Sequence, residues 1–151
     1  MTPEEKITQL GLSLPSAPKP AGLYQPFVAS GKLVFLSGQI SKDADGKILA
    51  GKVGKDLSPA EGKAAARLAA LNALSIMKHL IGFEKISRVV KMTGFVQAVP
   101  DFYEIPAVVN GASELLVEVM GDRGAHARSA VGMASLPMNA AVEIELVLEL
   151  K

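Results

Sequence analysis

The chain has 151 residues, 49% of them hydrophobic, with 16 Lys plus Arg against 15 Asp plus Glu. This is the size and apolar content of one domain with an ordinary core, and a single domain over residues 1–151 is expected. Scattered charges of near-zero sum give no footprint for nucleic acid or a membrane surface, and the absence of cysteine excludes disulfides, thiolate metal sites and cysteine nucleophiles.

The opening residues Met1 to Lys6 lack the basic and apolar regions of a signal peptide. No apolar run approaches the ~20 residues of a membrane span, so a cytoplasmic location is the expectation. Thr2-Pro3-Glu4-Glu5 combines an N-cap, a first-turn proline and a capping-box glutamate, which predicts a short N-terminal helix ending before Gly11. The prolines of Leu14-Pro15-Ser16-Ala17-Pro18-Lys19-Pro20 remove backbone donors and fix φ, so residues up to 20 form an extended connector.

Two strands are expected over residues 24–29 and 32–40, joined across Ser30-Gly31, followed by a turn at Asp43-Ala44-Asp45-Gly46. Ser58-Pro59-Ala60-Glu61 repeats the helix-start signature, and the alanine-rich run beyond it carries Leu68, Leu71, Leu74 and Ile81 to a stop at Gly82. A long strand follows over residues 86–99. One parity, Val90, Met92, Gly94, Val96 and Ala98, is apolar or small throughout and so faces the core.

A helix over residues 106–120 starts at Pro106 and exits at Gly121. Two strands close the chain, residues 128–133 and 141–150, the second alternating Val142, Ile144, Leu146, Leu148 and Leu150 against Glu143, Glu145, Val147 and Glu149. The order suits an α+β fold with two helices packed on one face of a mixed sheet. The other face would still present Phe35, Phe95, Val99 and Val147, which predicts an oligomer.

Arg128 is the leading chemical candidate. If residues 128–133 fold back on 141–150 across a turn near Pro137, it lies within a residue or two of Glu143 and Glu145. The plain reading is then a cross-strand ion pair worth at most about 1 kcal/mol. The functional reading is a planar two-pronged donor for a substrate carboxylate, with a glutamate close by to hold water or take a proton. His126 has no carboxylate spaced to orient it and reads as structural. Asp43-Ala44-Asp45-Gly46 brings its glycine too early for a calcium loop, and Gly51-Lys52-Val53-Gly54-Lys55-Asp56 fails the phosphate-loop spacing, so both read as turns.

Gly22-Leu23-Tyr24, Ser37-Gly38-Gln39-Ile40, Asn110, Ala127-Arg128-Ser129-Ala130-Val131, Leu136-Pro137 and Val142-Glu143-Ile144-Glu145 occur in an order that resembles the Rid family, also called YjgF-like or endoribonuclease L-PSP proteins. The resemblance implies a chorismate-mutase-like fold and a homotrimer with its sheets facing inward and clefts between subunits. It also implies hydrolysis of reactive 2-imino or enamine acids to 2-oxo acids and ammonia, with no cofactor or metal.

Carried over by position, Arg128 would clamp the substrate carboxylate and Glu143 would position or deprotonate the attacking water. The backbone around Ala130 would meet the imine nitrogen. Tyr24, Ser37 and Gly38 would line the cleft, with Asn110 and Ser129 also among the substrate-binding positions. The sequence departs from the family pattern at Ala130, where cysteine is frequent, in the helix-length segment before Tyr24, and in about one extra turn between Asp101 and Asn110. A trimer that binds small carboxylates without turnover is an alternative from another class. Ribonuclease activity, which the older family name suggests, is disfavoured by the near-neutral charge, the lack of tryptophan and the lack of a histidine pair.

Overall fold

The computed structural model describes residues 1–19 and 22–151, so Pro20, the last residue of the expected connector, lies outside the described residues. Helix α1, Pro3–Gln9, carries the expected capping box, with Thr2 and Glu5 bonding each other's backbone N–H. Residues 12–19 are irregular, and the hydroxyl of Ser75, buried in the next helix, donates to the Pro15 carbonyl at 2.5 Å.

Strands β1, Phe27–Ser30, and β2, Leu33–Leu36, form the expected hairpin. The single strand expected over residues 32–40 is instead two, because β3, Gln39–Ile40, follows a break at Ser37-Gly38. Both β2 and β3 pair with β6, Val142–Leu150, but between the Phe35/Val147 and Gln39/Ile144 pairs the register slips by one residue. A slip of this kind bends the strand and re-aims the side chains around it.

Helix α2, Pro59–Ile76, opens with the Ser58/Glu61 capping box, runs on as a π turn over Met77–Ile81, and stops at Gly82. Strand β4, Ile86–Gln97, lies at the centre of the sheet, whose order is β1-β2-β6-β4 and then β5, Ala127–Met133. Its register shifts early in the strand, so Val89 enters the core where strict alternation had placed Val90. Beyond the shift Met92, Gly94 and Val96 face inward as expected.

Helix α3, Ile105–Met120, packs beside α2 on one face of the sheet. The ion pairs Lys63–Glu114 (2.9 Å) and Arg67–Glu118 (3.0 Å) advance together along both chains, so the two helices run in the same direction. Ala65, Ala66, Ala69, Ala70 and Ala73 are buried on α2, and the helices approach closely where a Cβ added to Gly111 of α3 would collide with the Lys63 carbonyl. Sheet residues Val34, Leu36, Met92, Val96, Ile144, Leu146 and Leu148 complete the core.

One expectation fails outright. β5 does not fold back on β6 but pairs in parallel with β4, which separates the two. The turn near Pro137 exists, as a tight turn over Pro137–Asn139, but it leads across β4. Arg128 is thus aligned with Met92 and Leu146, whereas Glu143 is aligned with Phe95 and Val131. Strand alternation puts Arg128 on the helix-covered face with Met92 and Glu143 on the opposite face with Phe95.

That opposite face carries Val28, Leu33, Phe35 and Val131, each 39% or more exposed. Because Gly111 meets backbone rather than a movable side chain, Gly111→Ala should force the helices apart at a cost of about 1 to 3 kcal/mol. A lowered thermal midpoint in calorimetry, against an exposed Val117→Ala control near wild type, checks this close approach.

Candidate functional site

The break between β2 and β3 builds one wall of a cleft. Ser37 donates its hydroxyl to the Gln25 carbonyl at 2.5 Å and its N–H to the Pro26 carbonyl at 2.9 Å, tying the break to the segment that carries Tyr24. The Gln39 amide donates to the carbonyls of Ser37 and Gly38 at 3.0 and 3.2 Å. From α2, the buried Asn72 donates to the Lys42 carbonyl at 2.8 Å and fixes the chain just past β3.

The opposite wall is the segment between β5 and β6. Met138 and Asn139 both hold the left-handed backbone conformation (φ 57° and 58°) that non-glycine residues adopt at a cost. Buried Gln97 holds them there: its amide donates to Asn139 Oδ1 at 2.7 Å and to the Gly51 carbonyl at 3.0 Å, and its Oε1 accepts from the Leu136 N–H at 2.9 Å. The resulting cleft, about 490 Å³, is lined by Tyr24, Ser37, Gly38 and Glu143 among others, with Lys42, Asn72 and Met138. Its volume is that of a small-molecule site.

Glu143 is the acid of this cleft. Burial, and secondarily the neighbouring Glu145 carboxylate, raise its pKa above the ordinary glutamate value. Gly38 makes room for it, since a Cβ at that position would overlap the Glu143 carboxylate. Four of the residues singled out from the sequence therefore meet in one place.

The other four do not join them. Arg128, half-buried on β5, donates from Nη1 to Asn110 Oδ1 at 2.8 Å and to Ser113 Oγ at 3.1 Å, and from Nη2 to the Pro106 carbonyl at 3.5 Å. Pro106, Asn110 and Ser113 are spaced four and three apart, which puts them on one face of α3 beside the guanidinium. The expected ion pair with Glu143 or Glu145 is absent, and among the described residues Arg128 has no carboxylate partner.

Asn110 thus touches Arg128 rather than the cleft. Ala130 packs against the core on the helix side, and Ser129 is exposed on the opposite face, aligned with Thr93 and Glu145. Sequence reasoning missed Asn72, Gln97 and Ser113. An asparagine within an alanine-leucine helix and a glutamine closing an apolar strand were the available signals for the first two.

A folded-state pKa raised above the unfolded value means that the fold favours protonated Glu143. The stabilisation is complete below the unfolded glutamate pKa, about 4.3, and is lost as pH rises through the folded value. Glu143→Gln, which mimics the protonated form, should therefore melt at or above wild type at neutral pH. That difference should close when melting is repeated near pH 4. In Gly38→Ala the added methyl meets the end of a flexible side chain, so the melting temperature should hold while the Glu143 carboxylate moves, visible as a shifted acid titration of its side-chain NMR signal.

Comparison with known proteins agrees with this architecture. A family model described as "YjgF/chorismate mutase-like, putative endoribonuclease" matches residues 4–150. Protein TCP17 of Trypanosoma cruzi is 43% identical over 146 residues, covering 95% of this chain and 91% of that protein. A 2-iminobutanoate/2-iminopropanoate deaminase of Dermatophagoides farinae is 33% identical over 137 residues, covering 89% and 91%. The crystal structure of Atu1372 from Agrobacterium tumefaciens, a protein of unknown function, superposes with a TM-score of 0.90 at 45% identity, covering 99% of this chain and 92% of that one. With a family model spanning nearly its whole length and relatives matched end to end, the chain belongs to the YjgF/chorismate mutase-like family.

Proposed function

We propose that the protein hydrolyses small 2-imino or enamine acids to 2-oxo acids and ammonia, in clefts formed between the subunits of a homotrimer. The observation that carries this reading is the state of Arg128: a guanidinium held by three neutral oxygens, with no carboxylate among the described residues to balance its charge. Such a group is preorganised for an anionic ligand, and a two-pronged donor suits a carboxylate.

Arg128 and Glu143 lie two strands apart and on opposite faces of one chain's sheet, so one chain cannot offer both to one small substrate. Cyclic assembly on the exposed apolar face would set the β5 edge of one subunit against the cleft of the next. The 33% identity to a 2-iminobutanoate/2-iminopropanoate deaminase supports the substrate class.

In the reaction the substrate carboxylate docks on Arg128, leaving the imine carbon over Glu143. Water adds to that carbon as Glu143 takes one of its protons, giving a carbinolamine. The proton passes to nitrogen, the carbinolamine hydroxyl gives its own proton to Glu143 as the C=O bond forms, and the C–N bond breaks to release the 2-oxo acid and ammonia. An iminium carbon is already electrophilic, so orientation and one well-placed base suffice without a covalent nucleophile. A raised Glu143 pKa suits proton transfer in both directions.

The test generates 2-iminopropanoate or 2-iminobutanoate with a coupled enzyme and follows its decay. Losing two charge-assisted hydrogen bonds, about 3 to 5 kcal/mol, should lower kcat/KM of Arg128→Ala by roughly 10²- to 10³-fold or more. Decay equal to buffer for both proteins sinks the reading, and saturable 2-oxo acid binding without turnover would replace it with a carboxylate-binding trimer. The shared cleft has its own check. Arg128→Ala and Glu143→Gln subunits, inactive separately, should recover roughly a quarter of wild-type activity when unfolded and refolded together, since each mixed ring rebuilds one intact cleft. Failure to complement would overturn the shared cleft.

A further inference from the structure

A second cluster bears on how Arg128 keeps one orientation. Ser113, which accepts from Arg128 Nη1, also lies 3.0 Å from His126 Nε2, and the other ring nitrogen, Nδ1, is 2.6 Å from the Gly124 carbonyl. A carbonyl oxygen only accepts, so in the neutral ring Nδ1 carries the hydrogen and Nε2 is an acceptor. Ser113 must then donate to Nε2. Its one hydrogen is committed to His126, and its lone pairs are left for Arg128.

The hydrogen bonds therefore run one way, from Arg128 to Ser113 to His126, and separately from His126 to Gly124. With Asn110 Oδ1 taking the second Nη1 hydrogen and the Pro106 carbonyl meeting Nη2, three of about five guanidinium donors are engaged. Nε and one Nη2 hydrogen have no partner among the described residues. They can lie on one edge of the guanidinium plane, parallel and spaced for the two oxygens of a carboxylate.

We propose that Ser113 and His126 are positioning residues, which lock the rotation of the Arg128 guanidinium so that its Nε–Nη2 edge is the one offered to the substrate carboxylate. This rests on the reading of Arg128 as a carboxylate clamp. Without the Ser113 acceptor the guanidinium keeps its charge but turns about its Cδ–Nε and Nε–Cζ bonds, and the two prongs no longer point together. His126 acts through Ser113, by fixing which way the hydroxyl points.

The test uses the full chain and two readouts. In side-chain ¹H–¹⁵N spectra, a locked guanidinium gives separate Nη resonances for Arg128, assigned by their loss in Arg128→Lys. They should merge in Ser113→Ala and separate again in Ser113→Thr. The His126 ring nitrogens should report hydrogen on Nδ1.

In the imine assay, loss of one hydrogen bond to a charged group should raise KM about 5- to 20-fold in Ser113→Ala with kcat within about twofold, because the carboxylate is bound alike in ground and transition states. Ser113→Thr should restore KM. His126→Gln, which keeps an acceptor, should lie near wild type, whereas His126→Leu should behave as Ser113→Ala. In an Arg128→Ala background, Ser113→Ala should add nothing.

Nη signals unaffected by Ser113→Ala, hydrogen on Nε2, or an equal KM loss with Arg128 already removed would each overturn the proposal. Should the wild type show the locked guanidinium but no turnover, the deaminase reading fails and the positioning role stands. Turnover that ignores Ser113→Ala fails the positioning role alone.

Discussion

A positive charge held by neutral acceptors alone is the constraint around which this molecule is organised. Asn110, Ser113 and the Pro106 carbonyl solvate Arg128 well enough to keep it half-buried, but none of them cancels its charge. Water and an arriving anion are what remain to do so, and a desolvated anion pairs more strongly with a group already held in place than with one that must first be ordered. The elements that provide this holding, one face of α3 and the edge strand β5, are rigid pieces of the fold rather than loops.

The second constraint is topological. By entering between β5 and β6, β4 keeps Arg128 and Glu143 two strands apart, and their alignment with Met92 and Phe95 puts them on opposite faces of the sheet. What looked from the sequence like a hairpin with a built-in ion pair is instead two separate clusters, each furnished by different parts of the chain. In the proposed trimer, the contact that hides the apolar face bearing Val28, Phe35 and Val131 would also bring the two clusters together.

Much of the architecture was readable because local signals were strong and redundant. Capping boxes at Thr2 and Ser58 mark two helix starts correctly, Pro106 and Gly121 bracket α3, and the alternation of Val142 to Leu150 identifies β6. Alternation could not show which strands are neighbours, because period two gives each strand its faces and says nothing of its partners. Parity also failed at the early shift in β4, where Val89 takes the place expected of Val90. Of the candidate residues, Tyr24, Ser37, Gly38 and Glu143 meet at one cleft, whereas the separation of Arg128 from Glu143 was not legible. Ser113 was missed because one serine on an amphipathic helix has no distinguishing pattern until His126 and Arg128 are brought against it.

The placement of β6 has one more consequence, for the order of events as the polypeptide is made. Residues 142–150 pair with β2, β3 and β4 at once, so the strand synthesised after all of them is the one that joins them. Until it leaves the ribosome, the N-terminal hairpin has no sheet to dock on and α2 lacks a strand it packs against, whereas α3 already has β4 and β5. Pairings so distant in sequence favour slow acquisition of structure and lengthen the interval in which unpaired strands are exposed.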